Sequence, residues 1–388
     1  MTQPGLKKKL LYIDQLVGPT SLDIINALTR HYTVHLYCGG IIKTYAELSP
    51  EVRLFNRPAY SKKSMSSRVI SWFSFYFLTV PSVLFVRKPE VFLVSNPPLN
   101  FFFGYVLNRI FGTRFTLLLF DIYPDIIIQS GYLSRTGIVA RLWSWLNRIS
   151  FPKAHRIFTL SESLAKEVHK YERSMSNIKV VPNWVDSNEI KPIDRDQNEF
   201  IKRFNLGGDF IVMYSGNMGK THDIETIVAA AGLLKAHNQI KFFLIGDGEK
   251  RNKLADMIAT AGVSNITMLP FQDPQQFKHS IASADVGFVT LSHGFENYSV
   301  PSKTYYLMAA GCILFAIGSK DSEMELLINK YECGYRFDPG DAEAVAASIL
   351  KVYNDTALKA KLSRSARHAA SHFTMENAVL VADETNGS

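Results

Sequence analysis

Phe210-Ile-Val-Met-Tyr214-Ser-Gly216-Asn217-Met-Gly219-Lys220 is an apolar run broken by a glycine turn, and Phe243-Leu-Ile-Gly246-Asp247-Gly248 repeats the device. Each turn precedes an amphipathic stretch of helical period, Ile224–His237 and Glu249–Ala261. A buried strand, a glycine turn and a helix in that order put backbone N–H groups beside a helix N-terminus, where phosphate binds well. Further on, Tyr298-Ser-Val-Pro-Ser302-Lys303-Thr-Tyr-Tyr306-Leu-Met-Ala-Ala-Gly311 sets a lysine before an apolar helix. The three stretches share one half of the chain and together predict a pocket for a nucleoside diphosphate.

Outward from these turns the alternation continues. Thr267–Leu269, Val286–Val289 and Ile313–Ala316 read as strands, and Gln275–Ala282, Lys303–Ala310, Glu343–Tyr353 and Ala357–His372 as helices. In the first half Lys9–Asp14, Thr33–Tyr37, Val52–Leu54, Val91–Ser95, Arg114–Phe120 and Arg156–Thr159 read as strands. Such near-continuous apolar runs suit a parallel sheet covered on both faces. Ser21–Arg30, Ser134–Ser150 and Ser161–Tyr171 read as helices, with Ser21 and Ser161 as N-caps. The expected fold is α/β: two doubly wound, Rossmann-like domains facing each other across a cleft. The first covers residues 1–190 and the second 191–369, joined by the polar linker Asn188–Asn198, with a closing helix at about 370–388 returning to the first.

Bulk properties narrow the class. The chain has 388 residues, 47% hydrophobic and 20% charged, which is globular composition and enough for two domains. Cys38, Cys312 and Cys333 lie far apart without metal or disulfide spacing, so a reducing compartment is expected. Lys7-Lys8-Lys9 before Leu10-Leu-Tyr-Ile13 is too short a leader and reads as a first buried strand. Residues 1–190 carry 23 Lys and Arg against 12 Asp and Glu, while residues 191–388 carry 20 against 23. A basic first half implies an anionic partner. Its basic residues form no arm or recognition helix, so nucleic acid is not expected, and an anionic membrane surface fits the aromatic content better. Val69–Val86 is 18 residues without a charge. A buried helix is the first reading of it, a helix seated in the membrane interface the second and a transmembrane span the third.

At this point the residues resemble a known family: the family 4 glycosyltransferases of the GT-B fold, nearest the bacterial group that builds O-antigen, capsule and exopolysaccharide. The likeness rests on Phe120-Asp121-Ile-Tyr-Pro124-Asp125, Phe158-Thr-Leu-Ser161 and Val181-Pro-Asn183-Trp-Val-Asp186 in the first half. In the second it rests on Tyr214–Lys220, Gly246-Asp-Gly248, Ala284-Asp285-Val286, Val300-Pro-Ser-Lys303 and Met308-Ala-Ala-Gly311. The resemblance implies a sugar nucleotide, a UDP-sugar first among candidates, in the second domain and an acceptor in the first. It implies transfer with retention, no metal and no cofactor, onto a lipid-linked saccharide at the cytoplasmic face of the inner membrane, with peripheral attachment. Rivals are a sugar-nucleotide 2-epimerase of the same fold and a non-catalytic scaffold of a polysaccharide assembly complex.

Candidate residues follow position by position. Lys303 opposes its helix dipole unless an anion binds there, and with Ser302 it is the expected diphosphate ligand. Gly216, Asn217, Gly219, Gly246 and Gly248 let the backbone approach the donor. The family's arginine after the first glycine and its lysine further on are replaced by Asn217 and His222, leaving Lys220 and Lys303 as the cations. The family's two glutamates fall on Tyr298 and Tyr306, so Glu296 becomes the candidate for the donor sugar, and Tyr306 a donor-binding candidate that stacks or hydrogen-bonds, with simple packing as the alternative. Asp121 ends a buried strand and is the candidate orienter or proton acceptor, with Asp125 and Asn96 shaping the acceptor site. Asp194-Arg195-Asp196 spells a metal-binding string but lies in the polar linker, where it reads as solvated charge.

Overall fold

The computed structural model describes residues 7–42, 46–61, 64–84, 86, 89–171, 176–291, 294–295 and 301–387. Contacts divide the chain into two compact units, Met1–Pro182 with Met375–Ser388, and Asn183–Thr374. The first contains β1 (Lys8–Ile13), α1 (Pro19–Leu28), β2 (Tyr32–Cys38), β3 (Arg53–Asn56), α2 (Met65–Leu84), β4 (Glu90–Val94), α3 (Asn100–Phe111), β5 (Phe115–Leu119), α4 (Asp125–Gln129), α5 (Ile138–Ser150), β6 (Arg156–Thr159), α6 (Glu162–His169) and β7 (Ile178–Val180). Its seven strands form one parallel sheet in the order β3-β2-β1-β4-β5-β6-β7. The order reverses direction of growth at β1 and β4, the switch point where ligands of doubly wound sheets bind.

Side-chain alternation assigns the two faces of that sheet. Leu11, Val91, Leu93, Leu117 and Leu119 pack with Phe75 of α2 and with Phe101 and Leu107 of α3. On the alternate face Tyr12 stacks on Phe92 at 4.8 Å, and Phe92 on Phe158 at 6.4 Å. The helix α1 starts at Pro19 with Gly18 outside it, so Ser21 is not its cap. Proline at the first helical position has already set the start, and Ser21 turns inward, buried. Ser161 does cap α6, accepting from the Leu164 amide at 3.1 Å.

The second unit holds α7 (Glu199–Phe204), β8 (Phe210–Ser215), α8 (Glu225–Leu233), β9 (Ile240–Ile245), α9 (Arg251–Thr260), β10 (Ile266–Leu269), α10 (Pro274–Ile281), β11 (Val286–Thr290), α11 (Lys303–Ala309), β12 (Ile313–Ile317), α12 (Glu323–Tyr331), β13 (Gly334–Phe337), α13 (Ala342–Asn354) and α14 (Thr356–Ala370). Its sheet runs β10-β9-β8-β11-β12-β13, again parallel. The sequence left out α12 and the edge strand β13, whose four residues bury only Phe337 fully. The last helix, α15 (Glu376–Asn386), packs on α1. There Asp383 meets His31 at 2.6 Å, and Glu384 accepts from Arg156 at 3.1 Å and Lys179 at 2.9 Å.

Two expectations need correction. The first unit ends at Pro182 rather than 190, because Arg367 donates to the carbonyls of Ser187 at 3.0 Å and Ile190 at 3.2 Å. The stretch Asn188–Asn198 therefore belongs to the second unit. Within it Arg195 is no solvated charge: it donates to the carbonyls of Leu206 at 2.8 Å and Asp209 at 2.6 Å. The second correction concerns α2, which is not a plainly buried helix. It buries Phe75 and Val83 but exposes Ile70, Phe73, Phe77, Leu78 and Leu84. No helix among the described residues is long and apolar enough to cross a membrane.

One carboxylate clamps the second sheet. Asp285 accepts from the Ile211 amide at 2.8 Å and from Lys359 at 3.1 Å, joining β8 and α14 to the start of β11. Asp285→Ala is expected to cost about 2 kcal/mol in urea unfolding, and Asp285→Asn about half as much, since hydrogen bonds to charged groups are worth roughly that.

Candidate functional site

The two glycine turns pack backbone on backbone. A Cβ on Gly246 would lie 1.9 Å from the Gly216 carbonyl oxygen, and one on Gly248 would lie 2.6 Å from the Met218 carbonyl carbon. Four hydrogen bonds lock them: Gly216 N–H to Ile245 O at 2.9 Å, Met218 N–H to Asp247 O at 2.8 Å, Lys250 N–H to Met218 O at 2.8 Å and Gly246 N–H to Leu269 O at 2.9 Å. Arg251 braces the second turn, donating to Gly246 O at 2.8 Å. This corrects the expectation that both turns present their amides to phosphate. The Gly246 amide is spent on Leu269 O of β10 and the Gly248 amide on the Asp247 carboxylate at 2.8 Å, while the carbonyls of Ile245 and Asp247 hold the Gly216–Gly219 turn in place. The start of α8 is closed in the same way, with Asp223 accepting from the Thr226 amide at 3.2 Å and donating its own amide to Thr290 at 2.8 Å.

Against this platform lies Lys303, the first residue of α11. Its ammonium donates to the Tyr214 hydroxyl at 3.0 Å and sits 4.1 Å from that ring's centroid. The Tyr214 hydroxyl donates onward to Asn217 O at 2.5 Å. A Cβ on Gly216 would lie 2.7 Å from the Lys303 ammonium, so the missing side chain makes the lysine's seat. Burial lowers Lys303 to about 7. His222 is lowered to about 3, by burial first and then by the neighbouring Lys303 and Lys250 charges. Lys250, which the sequence reading passed over, reaches His222 O at 2.7 Å and Glu225 at 2.9 Å. Its signal was faint: a lysine after a glycine turn looks like ordinary surface. Two ammonium groups and a neutral imidazole thus gather behind the first glycine turn, an arrangement that suits an anion.

The structure distributes the other expected residues unevenly. Lys220 is exposed and pairs with Glu249 at 3.1 Å, so it does not join Lys303 as a second ligand in this arrangement. Ser302 makes no capping bond with its side chain. Tyr306 packs edge-on against Phe277 with ring centroids 5.5 Å apart. Gly311 ends α11 in the left-handed region at φ 77°, where a glycine C-cap belongs. Glu296 and Tyr298 lie outside the described residues. Among the described residues no group of three His, Cys, Asp or Glu is placed to hold a metal.

In the first unit Asp121 stands just beyond the C-terminal end of β5, beside a small pocket lined by Ser95, Pro98, Phe101, Leu119 and Tyr123. Burial pushes its carboxyl up to about 6. Asn96 shares that strand edge, its carbonyl accepting from the Gln15 amide at 3.1 Å. Asp125, the first residue of α4, accepts from the Tyr171 hydroxyl. The sequence reading missed Asp14, which follows β1 at the same edge and whose carboxyl burial raises to about 7. The signal was present in Ile13-Asp14-Gln15, an acid closing an apolar strand, the same pattern that singled out Asp121.

Two family models meet on this chain: one described as glycosyltransferase family 4 matches residues 17–189, and one described as glycosyl transferases group 1 matches residues 196–369. The chain belongs to the family 4 glycosyltransferases of the GT-B fold. A Pseudomonas aeruginosa protein named as glycosyltransferase WbjE is 28% identical over 314 residues, 78% of this chain and 76% of its own. An Escherichia coli K12 protein named as colanic acid biosynthesis glycosyl transferase WcaI is 23% identical over 63% of this chain and 61% of its own. Among solved structures, WaaG, a glycosyltransferase involved in lipopolysaccharide biosynthesis, superposes with TM-score 0.74 at 14% identity, covering 98% of this chain and 100% of that one. Anabaena HepE in complex with UDP and glucose gives TM-score 0.74 at 15% identity over 98% and 99%. At such identities these structures speak for the fold.

For this glycosyltransferase the backbone contact between turns is the first thing to perturb. Gly246→Ala, at φ 143° and against a carbonyl oxygen, is expected to cost about 3 kcal/mol in chemical denaturation. Gly219→Ala meets only the Asn217 side-chain amide, 2.8 Å away and free to swing, and is expected to cost under about 1 kcal/mol.

Proposed function

We propose that this glycosyltransferase moves a sugar from a UDP-sugar, bound by the second unit, to a polyprenyl-diphosphate-linked saccharide bound by the first. The product belongs to cell-surface polysaccharide synthesis, and the configuration at the anomeric carbon is retained. The observation that carries the reading is the half-buried Lys303, its ammonium seated on Tyr214 over the Gly216 turn with Lys250 nearby. A desolvated cation beside a glycine turn is strongly stabilised by a diphosphate. The UDP, UDP-glucose and polysaccharide chemistry of the neighbours' and relatives' names supports the same choice.

In the proposed reaction the acceptor hydroxyl attacks the anomeric carbon on the face from which UDP departs. The new C–O bond forms as the bond to the β-phosphate oxygen breaks, and that oxygen takes the hydroxyl proton. Lys303, with main-chain amides near Asn217 and Ser302, meets the charge growing on the leaving diphosphate, so no metal is called for. Asp121, ionised at neutral pH with a carboxyl near 6, orients the acceptor hydroxyl. Glu296 is assigned to the donor sugar. The enzyme works at the cytoplasmic face of the inner membrane, peripherally attached.

Radiolabelled sugar supplied as its UDP derivative is expected to pass into solvent-extractable lipid. Label that stays in water, or returns as an epimerised nucleotide sugar, would reject the proposal. Lys303→Ala is expected to lose about 100- to 1,000-fold in kcat/KM, the scale for one preorganised charge-stabilising donor. Protonation gives a second, independent check. Free Lys303 holds its proton below about pH 7, and a bound diphosphate raises its pKa. Donor affinity is therefore full below pH 7 and falls about tenfold per unit above it, until pH passes the pKa of the complex. Titration calorimetry with a UDP-sugar across that window measures the slope; Lys303→Met should flatten it.

A further inference from the structure

The helices α2, α3 and α5 lie on one face of the first sheet and share one core, in which Phe75, Phe101 and Leu107 pack with Trp143 and Leu146. They are neighbours: the Tyr76 hydroxyl of α2 meets Asn100 of α3 at 3.0 Å, and α3 contacts α5. Their outward sides therefore form a single surface. That surface is apolar. On α2 it presents Ile70, Phe73, Phe77 and Leu84, spaced as one helical stripe, with Phe77 79% exposed. On α5 it presents Ile138, Leu142 and Trp145, again one stripe, with Ile138 84% exposed. Ile110 and Phe111 add the end of α3. More than half of the large hydrophobic side chains exposed among the described residues stand on these three helices.

Charge on the same helices has one sign. Helices of 20, 12 and 13 residues contain no Asp and no Glu, only Arg68, Arg109, Arg141 and Arg148. Arg109, Arg141 and Arg148 are exposed beside the apolar stripes. We propose that this three-helix face seats the enzyme on an anionic lipid bilayer, its phenylalanine, isoleucine and leucine side chains entering the headgroup boundary and its arginines meeting lipid phosphates. A second copy of the chain is a poor occupant, because two-fold pairing would bring arginines together without a carboxylate to answer them. A nucleic acid offers nothing to Phe73, Phe77 or Ile138. The proposal rests on the reading of a membrane-bound acceptor given above, and it names the surface that would carry the protein to it.

The test uses the full chain and vesicles of equal parts phosphatidylcholine and phosphatidylglycerol at low salt, with phosphatidylcholine vesicles as control. The wild-type protein should sediment with the mixed vesicles and not with the control. Phe73→Glu/Phe77→Glu and Leu142→Glu/Trp145→Glu, at exposed positions, should each weaken partitioning at least about tenfold, and Arg141→Gln/Arg148→Gln should weaken it in proportion to the anionic lipid content. Thermal stabilisation by a UDP-sugar and transfer to a detergent-soluble acceptor should stay at wild-type level in all three. Wild-type protein that ignores the mixed vesicles overturns the proposal, as do glutamate variants that bind like wild type. A concentration-dependent dimer abolished by Phe73→Glu/Phe77→Glu would also overturn it, by assigning the face to a second copy. Loss of transfer to the soluble acceptor in wild-type protein would instead count against the enzymatic reading.

Discussion

The contact between Gly246 and the Gly216 carbonyl is the constraint on which the second unit's site depends. Side chains at these positions would separate two strand ends that must touch. Touching fixes the path from Gly216 to Gly219, which in turn positions the Asn217 carbonyl that receives the Tyr214 hydroxyl. Tyr214 then supplies both the hydroxyl and the ring face that hold Lys303. A backbone fit between two turns is thus converted, through one phenol, into the location of one ammonium group. The site is preorganised by main chain, the part of a protein least able to drift.

Holding a lysine this way is costly in the absence of an anion. Desolvation drags Lys303 toward neutrality, and the tyrosine ring and hydroxyl return only part of what water gave. His222 records the same environment: burial first, and then the charges of Lys303 and Lys250, keep it uncharged at any physiological pH. A protein gains nothing structurally from such an arrangement, since an apolar residue at position 303 would pack with less penalty. The arrangement makes sense where a doubly negative group arrives and restores the balance, and perturbed titration in a glycine-lined site is the physical mark of that kind of function.

How much of this was legible in the sequence depends on whether a residue's role is set by its neighbours in the chain or by those in space. The strands were legible because both faces are buried, so Phe115–Leu119 and Ile313–Ile317 read as near-continuous apolar runs. The helix Lys303–Ala310 was legible to within one residue of α11, because helix ends are local. Ser21 was misread because Pro19, two residues earlier, had already begun the helix, and β13 went unseen because an edge strand of four residues has too little pattern. The glycine turns were recognised but their amides misassigned, since which carbonyl takes which N–H is decided by the adjacent strand. Lys250 and Asp14 were missed for a related reason: their burial comes from residues remote in sequence. Asp194-Arg195-Asp196, conversely, looked idle until Arg195 was found bracing the carbonyls of Leu206 and Asp209.

The tract from Val69 shows the same limit from the other side. A helix that is apolar around its whole circumference satisfies either a protein core or a lipid boundary, and sequence periodicity does not separate the two. The fold separates them by geometry: a parallel sheet offers each crossover helix one face of contact, so α2 can bury Phe75 and Val83 and must leave Phe73 and Phe77 outside. What remains outside is not scattered, because α3 and α5 lie on the same layer and leave their own apolar stripes beside it. Three helices lacking a single carboxylate are then more than a compositional accident of a basic half-chain. A soluble surface of this size would gain from interspersed acids, which break up apolar patches and balance arginine; their exclusion from all three helices is what a surface built to meet fixed negative charge would require.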